Sequence, residues 1–389
     1  MRFTSAIRRV AAALAVTLVL LPAIAPADRV DRAYAVPEFP DVASAALLWM
    51  RGQQQQDGSF PGFGAGSTVD ALLAIVAARQ DPASYSRNGN TPVTFLESKA
   101  AEIAKTPGGA GKLLIAVAAL GRDGRAFGGV NLVDAITTSY NADTGQYGKD
   151  VIGHAFAVLG LEAAGEQVPD KATAFLAGTQ TPEGGWAFSG DTKAGTADTN
   201  TTAVVVQALV AVGADKSNPD LMKKAVSYLT SQQNPDGGFP YQKGGEFGSE
   251  SDVNSTAYVA QAMLALGNNT VAGQARSFIR SMQNPSGAFR WKPSEPADNA
   301  GATYQAIPPL LGATMVSPVG TEPVFVPEGS PPVSQPGMPR TGGVQPAGSP
   351  WTPWGTPWAP AQPAALSLVA AIAVVVLGMG VMLRQRARR

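Results

Sequence analysis

The chain of 389 residues contains no cysteine and a single histidine. Without cysteine there is no disulfide framework, no thiolate metal ligand and no cysteine nucleophile. One histidine excludes a histidine-rich metal site. Charge is also sparse, at 15% of residues, with lysine plus arginine equal to aspartate plus glutamate at 29 each. That balance hides a segregation. Arg2, Arg8, Arg9, Arg29 and Arg32 lie near the start, and Arg384, Arg386, Arg388 and Arg389 at the end. Taking those nine from the 29 basic residues leaves 20, and taking Asp28 and Asp31 from the 29 acidic ones leaves 27, so Val36–Leu383 carries a net charge of −7. A nucleic-acid partner needs a concentrated basic face to displace counterions from phosphate, and is excluded.

The basic ends flank apolar runs. Arg2, Arg8 and Arg9 precede Val10–Ala25, and Ala33-Tyr34-Ala35 supplies small residues at −3 and −1 of a cleavage site, with Ala25-Pro26-Ala27 as a second candidate. Residues 1–35 therefore read as a secretory signal, the alternative being an uncleaved anchor. Ala364–Leu383 is 20 residues without a charge, long enough to cross a bilayer as a helix. The basic tail 384–389 after it predicts a cytoplasmic end, and hence an exported ectodomain held at the membrane by one span.

Between Ser317 and Pro363 there are 13 prolines in 47 residues, which predicts a disordered, extended stalk. Trp351, Trp354 and Trp358 suit an aromatic belt at the membrane interface. The stalk also contains Met338-Pro339-Arg340-Thr341-Gly342-Gly343. This resembles the sorting signal of Gram-positive surface proteins, with Met338 in the place of leucine and 20 residues between Gly343 and the span. The resemblance implies sortase as a partner, cutting between Thr341 and Gly342 and linking Thr341 to the wall. Plain membrane anchoring is the other outcome.

The middle of the chain repeats at a spacing near 40–54 residues. A helix-ending glutamine is followed by glycine four residues on and an aromatic six residues on: Gln54/Gly58/Phe60, Gln180/Gly184/Trp186, Gln233/Gly237/Phe239 and Gln283/Gly287/Phe289. Asn141/Gly145/Tyr147 is a fifth copy with asparagine for glutamine. Proline and glycine in these turns end a helix sharply, and the glutamine amide is positioned to satisfy backbone groups at the helix end. The motif is thus a structural staple.

Twelve helices are predicted near 41–53, 67–79, 91–105, 109–121, 131–140, 151–164, 169–179, 197–212, 219–232, 255–266, 270–282 and 300–313. They alternate between an amphipathic outer type and an inner type that is apolar almost all round and therefore buried. No segment alternates at period two, so no sheet is expected. Six hairpins, none able to bury its own face, must stack and close. The expected fold class is all-α, an (α/α)6 toroid over residues 36–316 with its inner helices parallel.

The Gln-x-x-x-Gly-x-Trp/Phe repeat resembles the motif of the terpenoid cyclase and protein prenyltransferase superfamily, and the capped helix pairs also resemble the α/α-barrels of cobalamin carriers. The resemblance implies the toroid fold and several possible activities. The zinc transferases and thioester domains of that superfamily each need a cysteine, which this chain lacks. Its class II cyclases protonate an alkene with the middle acid of Asp-x-Asp-Asp. Here Asp198-Thr-Asn200 and Asp252-Val-Asn254 place a neutral amide there, which has no proton acidic enough for the step.

Matching the inner helices through Gln207, Gln261 and Gln305 puts Asp298 level with Asn254, as the one carboxylate at that place. His154 stands alone on an apolar inner helix, either as a packed core group or as a lumen-facing contact to a ligand such as a corrinoid. The expectation is a non-catalytic surface module with no cofactor. Asp198, Asn200, Gln207, Asp252, Asn254, Gln261, Asp298 and His154 are its candidate cavity residues. An amphipathic small molecule, a corrinoid carried as by transcobalamin, and a terpene cyclised with Asp298 as acid are the ligand alternatives.

Overall fold

The structure, a computed structural model, describes residues 39–322 and Val324. The predicted signal, most of the stalk, the sorting motif Met338–Gly343 and the span Ala364–Leu383 lie outside the described residues. Among the described residues, no helix is long and apolar enough to cross a membrane.

Six hairpins are present. The outer helices are α1 (Phe39–Gln53), α3 (Pro92–Ile103), α5 (Leu132–Thr137), α7 (Asp170–Gly178), α10 (Pro219–Gln232) and α12 (Asn269–Ser281). The inner helices are α2 (Ala65–Ala77), α4 (Pro107–Ala119), α6 (Val151–Ala163), α8 (Thr199–Ala211), α11 (Val253–Ala265) and α13 (Ala300–Leu310). A single turn, α9 (Ala214–Ser217), precedes α10. Each inner helix packs on the next, and α13 returns to α2, so the ring closes. The closest inner pair is α4 and α6, where glycines let the backbones touch: a Cβ on Gly108 would sit 2.6 Å from Gly153 Cα.

Local chemistry sets the helix boundaries. The inner helices begin at Gly64, Thr106, Asp150, Asp198, Asp252 and Asn299. All but Gly64 cap with a side-chain oxygen that accepts an N–H three residues on, at 2.7 Å for Asp150, Asp198 and Asp252. Five inner helices stop at a left-handed glycine, Gly121, Gly165, Gly213, Gly267 and Gly312. In α2 that place belongs to Arg79, with φ 55°.

One expectation fails. Phe289–Lys292 (β1) and Glu295–Asn299 (β2) form a two-stranded antiparallel hairpin. Pro293 and Pro296 disguise it, because they break the alternation by which a strand is read. Beyond α13 the chain stays bound to the ring through Glu322, past the start of the proline-rich segment. Met315 N–H donates to Gln207 Oε1 at 2.8 Å, Gly320 N–H to Ala77 O at 2.9 Å, and Arg79 Nε to Gly320 O at 2.8 Å.

Candidate functional site

Counting from each inner cap brings equivalent side chains to one level. The fourth residue after the cap is Thr68, His154, Thr202, Thr256 or Thr303 in the five hairpins that carry the motif. Each accepts the backbone N–H of its motif aromatic, Phe60, Tyr147, Trp186, Phe239 or Phe289, at 2.9–3.0 Å. His154 is therefore the histidine version of a threonine latch. Its Nδ1 accepts from Tyr147 and its Nε2 bonds Ala172 O at 3.0 Å. Tyr147 stacks on the ring and Phe175 meets it edge-on, so it faces the outer helices rather than the lumen. Burial pulls its pKa down to about 4, partly opposed by the Ala172 carbonyl, and keeps the ring neutral.

The glutamines span neighbouring repeats. Gln54, Gln180 and Gln283 each donate through Nε2 to the carbonyl of their own motif glycine. The same nitrogen also donates to a carbonyl of the next repeat: Tyr85 in the loop before α3 at 2.9 Å, Leu221 in the first turn of α10 at 3.0 Å and Val42 in the first turn of α1 at 2.8 Å. The motif glycine sits against that helix with positive φ. A Cβ on Gly287, at φ 92°, would meet Ala45 O at 2.5 Å.

The sixth residue after each cap forms a layer inside the ring: Asp70, Lys112, Phe156, Val204, Tyr258 and Gln305. Lys112 Nζ pairs with Asp70 at 2.5 Å and lies over the Phe156 ring. It also hydrogen-bonds Tyr258 on α11, the helix opposite α4, so the contact crosses the lumen. Gln305 Nε2 donates to Asp70 Oδ2 at 3.3 Å and its Oε1 accepts from Asn254 Nδ2 at 2.9 Å. Burial opposes charge on Lys112, but Asp70 and Tyr258 outweigh it and hold its pKa above the ordinary lysine value. Asn200, Val204, Gln207, Asn254, Tyr258 and Gln261 each expose 3% or less of their surface. Side chains span and fill this part of the lumen, and Met315 approaches Gln207 from the carboxyl end.

The second residue after the cap is the place of the alkene-protonating acid in the Asp-x-Asp-Asp pattern. It holds Gly66, Gly108, Ile152, Asn200, Asn254 and Gly301, so no inner helix has a carboxylate there. Asp298 is not at this place. It lies in β2, one residue before the Asn299 cap, and accepts from Asn284 Nδ2 at 2.8 Å and Ser286 Oγ at 2.9 Å, as a turn residue. The sequence register slipped by three residues because Gln305 was matched to Gln207 and Gln261. Those two are ninth after their caps, where α13 has Pro308, whereas Gln305 is sixth.

Asp198 and Asp252 are both caps, fully buried, and burial raises each pKa to about 6 against the hydrogen bonds that favour the carboxylate. The Asn200 amide is buried with neither polar atom hydrogen-bonded among the described residues. In sequence the threonine latch is marked by Thr202-Ala203 and Thr256-Ala257, each separated by one residue from its Asp-x-Asn. Asp70 and Lys112 were missed, although each is a lone charge on an otherwise apolar helix. Among the described residues, no group of three histidine, aspartate or glutamate side chains is placed to hold a metal ion.

The family model of the squalene-hopene cyclase C-terminal domain matches residues 135–297. Among solved structures, the chain is similar to a variant of the type II terpene cyclase MstE from Scytonema in complex with geranylgeranyl dihydroxybenzoate (TM-score 0.51, 12% identity, 70% of this chain and 97% of that one). It is also similar to a protein from Actinoplanes (0.52, 14%, 70% and 98%) and to an unsaturated glucuronyl hydrolase specific for heparin (0.52, 11%, 73% and 99%). At these identities the structural likeness establishes the fold. No curated protein matches the sequence. The closed double ring of helices defines an α/α-toroid. Residues 135–297 match the cyclase domain, and the toroid as a whole shares its fold with the type II terpene cyclase MstE.

Proposed function

We propose that this chain is an exported α/α-toroid, held at the cell surface by its C-terminal segment, that recognises a partner or ligand without catalysing a reaction. The observation that carries the reading is the occupancy of the lumen. The place of the cyclase acid is glycine, isoleucine or asparagine on all six inner helices, and the Asp70–Lys112–Tyr258 contacts cross the space a polyprenyl chain would need. Export and anchoring rest on the N-terminal apolar run, on Ala364–Leu383 and on the arginines that follow it.

A second reading, turnover of an isoprenoid, has the cyclase-domain match in its favour, with the buried caps Asp198 and Asp252 as its candidate acids. Incubation of the full-length chain with squalene and with geranylgeranyl dihydroxybenzoate, followed by mass spectrometry of the extract, separates the two. The first reading expects no cyclised product. A product that disappears in Asp198→Asn or in Asp252→Asn overturns it. Mass analysis of the C-terminus of protein taken from its own cells tests the anchor: an end at Thr341 means wall linkage by sortase, an end at Arg389 an intact membrane span.

A further inference from the structure

The amino-terminal mouth of the ring is uneven. Loops 187–197, 240–251 and 290–298, which lead into α8, α11 and α13, stand side by side and are stitched together. Gln242 Nε2 donates to Gly195 O at 2.8 Å and Ala197 O at 2.9 Å, and Ser294 Oγ to Glu250 at 2.6 Å. Between the first two loops and the last turn of α10 opens a cleft of about 570 Å³. That volume is in the range that holds small molecules, roughly 300–1,000 Å³.

The cleft walls are polar and both charge signs are fixed in them. Glu183 Oε1 accepts the Gly195 N–H at 2.7 Å, while its Oε2 is buried and takes no hydrogen bond among the described residues. A carboxylate accepts up to about four hydrogen bonds, so Glu183, which lines the cleft, keeps acceptor capacity for a hydroxyl or an N–H entering it. Lys243 Nζ donates to Ser231 O at 3.0 Å and Gln233 O at 2.6 Å, beyond the end of α10, where the helix dipole favours a cation. Its backbone N–H donates to Gln232 Oε1 at 2.8 Å. The ammonium is therefore held in the wall and does not swing out to neutralise Glu183.

A cation entering this cleft meets Lys243, and an anion meets Glu183. A neutral molecule with adjacent hydroxyls meets neither objection, because each hydroxyl both donates and accepts. We propose that the cleft between α10 and the 187–197 and 240–251 loops binds a neutral saccharide unit, with Glu183 accepting from one hydroxyl and Lys243 and Gln232 donating to its neighbours. The site lies on the outer rim, so it stands whether or not the lumen turns over an isoprenoid.

The test uses the full-length chain in a detergent without a sugar headgroup, and saturation-transfer NMR. N-acetylglucosamine, mannobiose and arabinobiose serve as neutral probes, glucosamine and glucuronate as charged ones. At least one neutral probe is expected to titrate, ahead of both charged probes. Glu183→Gln keeps the oxygen that holds Gly195 and should weaken binding by about tenfold or more without moving the unfolding midpoint. Lys243→Met provides a second, independent loss, and the lumen double variant Asp70→Asn with Lys112→Met should leave binding unchanged. No transfer to any neutral probe, preference for a charged one, or unaltered affinity in both Glu183→Gln and Lys243→Met overturns the proposal.

Discussion

Gln283 donates to the carbonyl of Val42, 241 residues earlier in the chain, at 2.8 Å, and so ties the last motif turn to the first outer helix. Nothing distinguishes this bond chemically from Gln180 to Leu221 within the ring, yet it lies at the seam where the circle closes. Gln283→Ala strips donors from two carbonyls, those of Val42 and Gly287. It should cost about 1–3 kcal/mol in chemical denaturation. Gln180→Ala, which also loses two bonds, should match it. Gly287→Ala should cost more, because a Cβ at φ 92° is both strained and pressed on Ala45 O. A seam variant that unfolds like the parent would mean that packing alone closes the ring.

The Lys112–Asp70 pair makes a sharper test, since a buried ion pair is worth little intact and costs much when half removed. Lys112→Met leaves Asp70 facing the lumen without its cation and should destabilise by about 3–5 kcal/mol. The double variant Asp70→Asn with Lys112→Met should recover most of that loss. Equal destabilisation by the single and double variants would show that the lumen solvates Asp70 by itself.

The same lumen marks the limit of what the sequence revealed. Helix periodicity and caps were legible: α10 was read at 219–232 and lies there, and the other eleven main helices begin and end within three residues of their predicted limits. These signals are local, because a cap acts over three residues and a motif turn over six. Asp70 and Lys112 were plain in the sequence as single charges, but only ring closure puts α4 across from α11 and makes Tyr258 their partner. The β1–β2 hairpin was invisible because its prolines erase the alternation, and Asp298 was misplaced because Gln305, sixth after its cap, stands in for glutamines that are ninth after theirs. The Glu183–Lys243 cleft joins groups from two loops, a juxtaposition that spacing does not encode.

Stability should respond to pH through three buried groups with opposite signs. Asp198 and Asp252 have folded pKa values near 6 against 3.8 ordinarily, so their contribution is full below 3.8 and is lost as pH rises through 6. His154, near 4 against 6.5, contributes above 6.5 and loses that contribution as pH falls through 4. Each displacement is on the order of 3 kcal/mol, so between pH 4 and 6 two losses oppose one gain and net stability should fall. Asp252→Asn keeps a capping oxygen and removes one titration. Denaturation curves at a series of pH values should show a flatter profile for Asp252→Asn and a steeper fall for His154→Gln. Parallel profiles for all three proteins would mean that these groups titrate at their ordinary values.

Arg79 occupies the left-handed position that glycine fills at the end of the other five inner helices, at a penalty of about 1–2 kcal/mol for a residue with a Cβ. Its return is the bond from Nε to Gly320 O, which pins the segment after α13 beside α2. Arg79→Gly removes both terms at once. The ring should unfold at nearly the parent denaturant concentration, because relief of the backbone offsets the lost bond. The segment itself should loosen beside α2, where Gly320 N–H to Ala77 O is then its remaining tie, although Thr321 and Glu322 N–H to Leu311 O and Arg276 to Glu322 still hold its far end. Limited proteolysis reads this directly: cleavage between Met315 and Glu322 should be several-fold faster in Arg79→Gly than in the parent, while cuts within the helices stay equally slow. Unchanged cleavage would assign the hold on this segment to Met315 and Gln207 at the lumen instead.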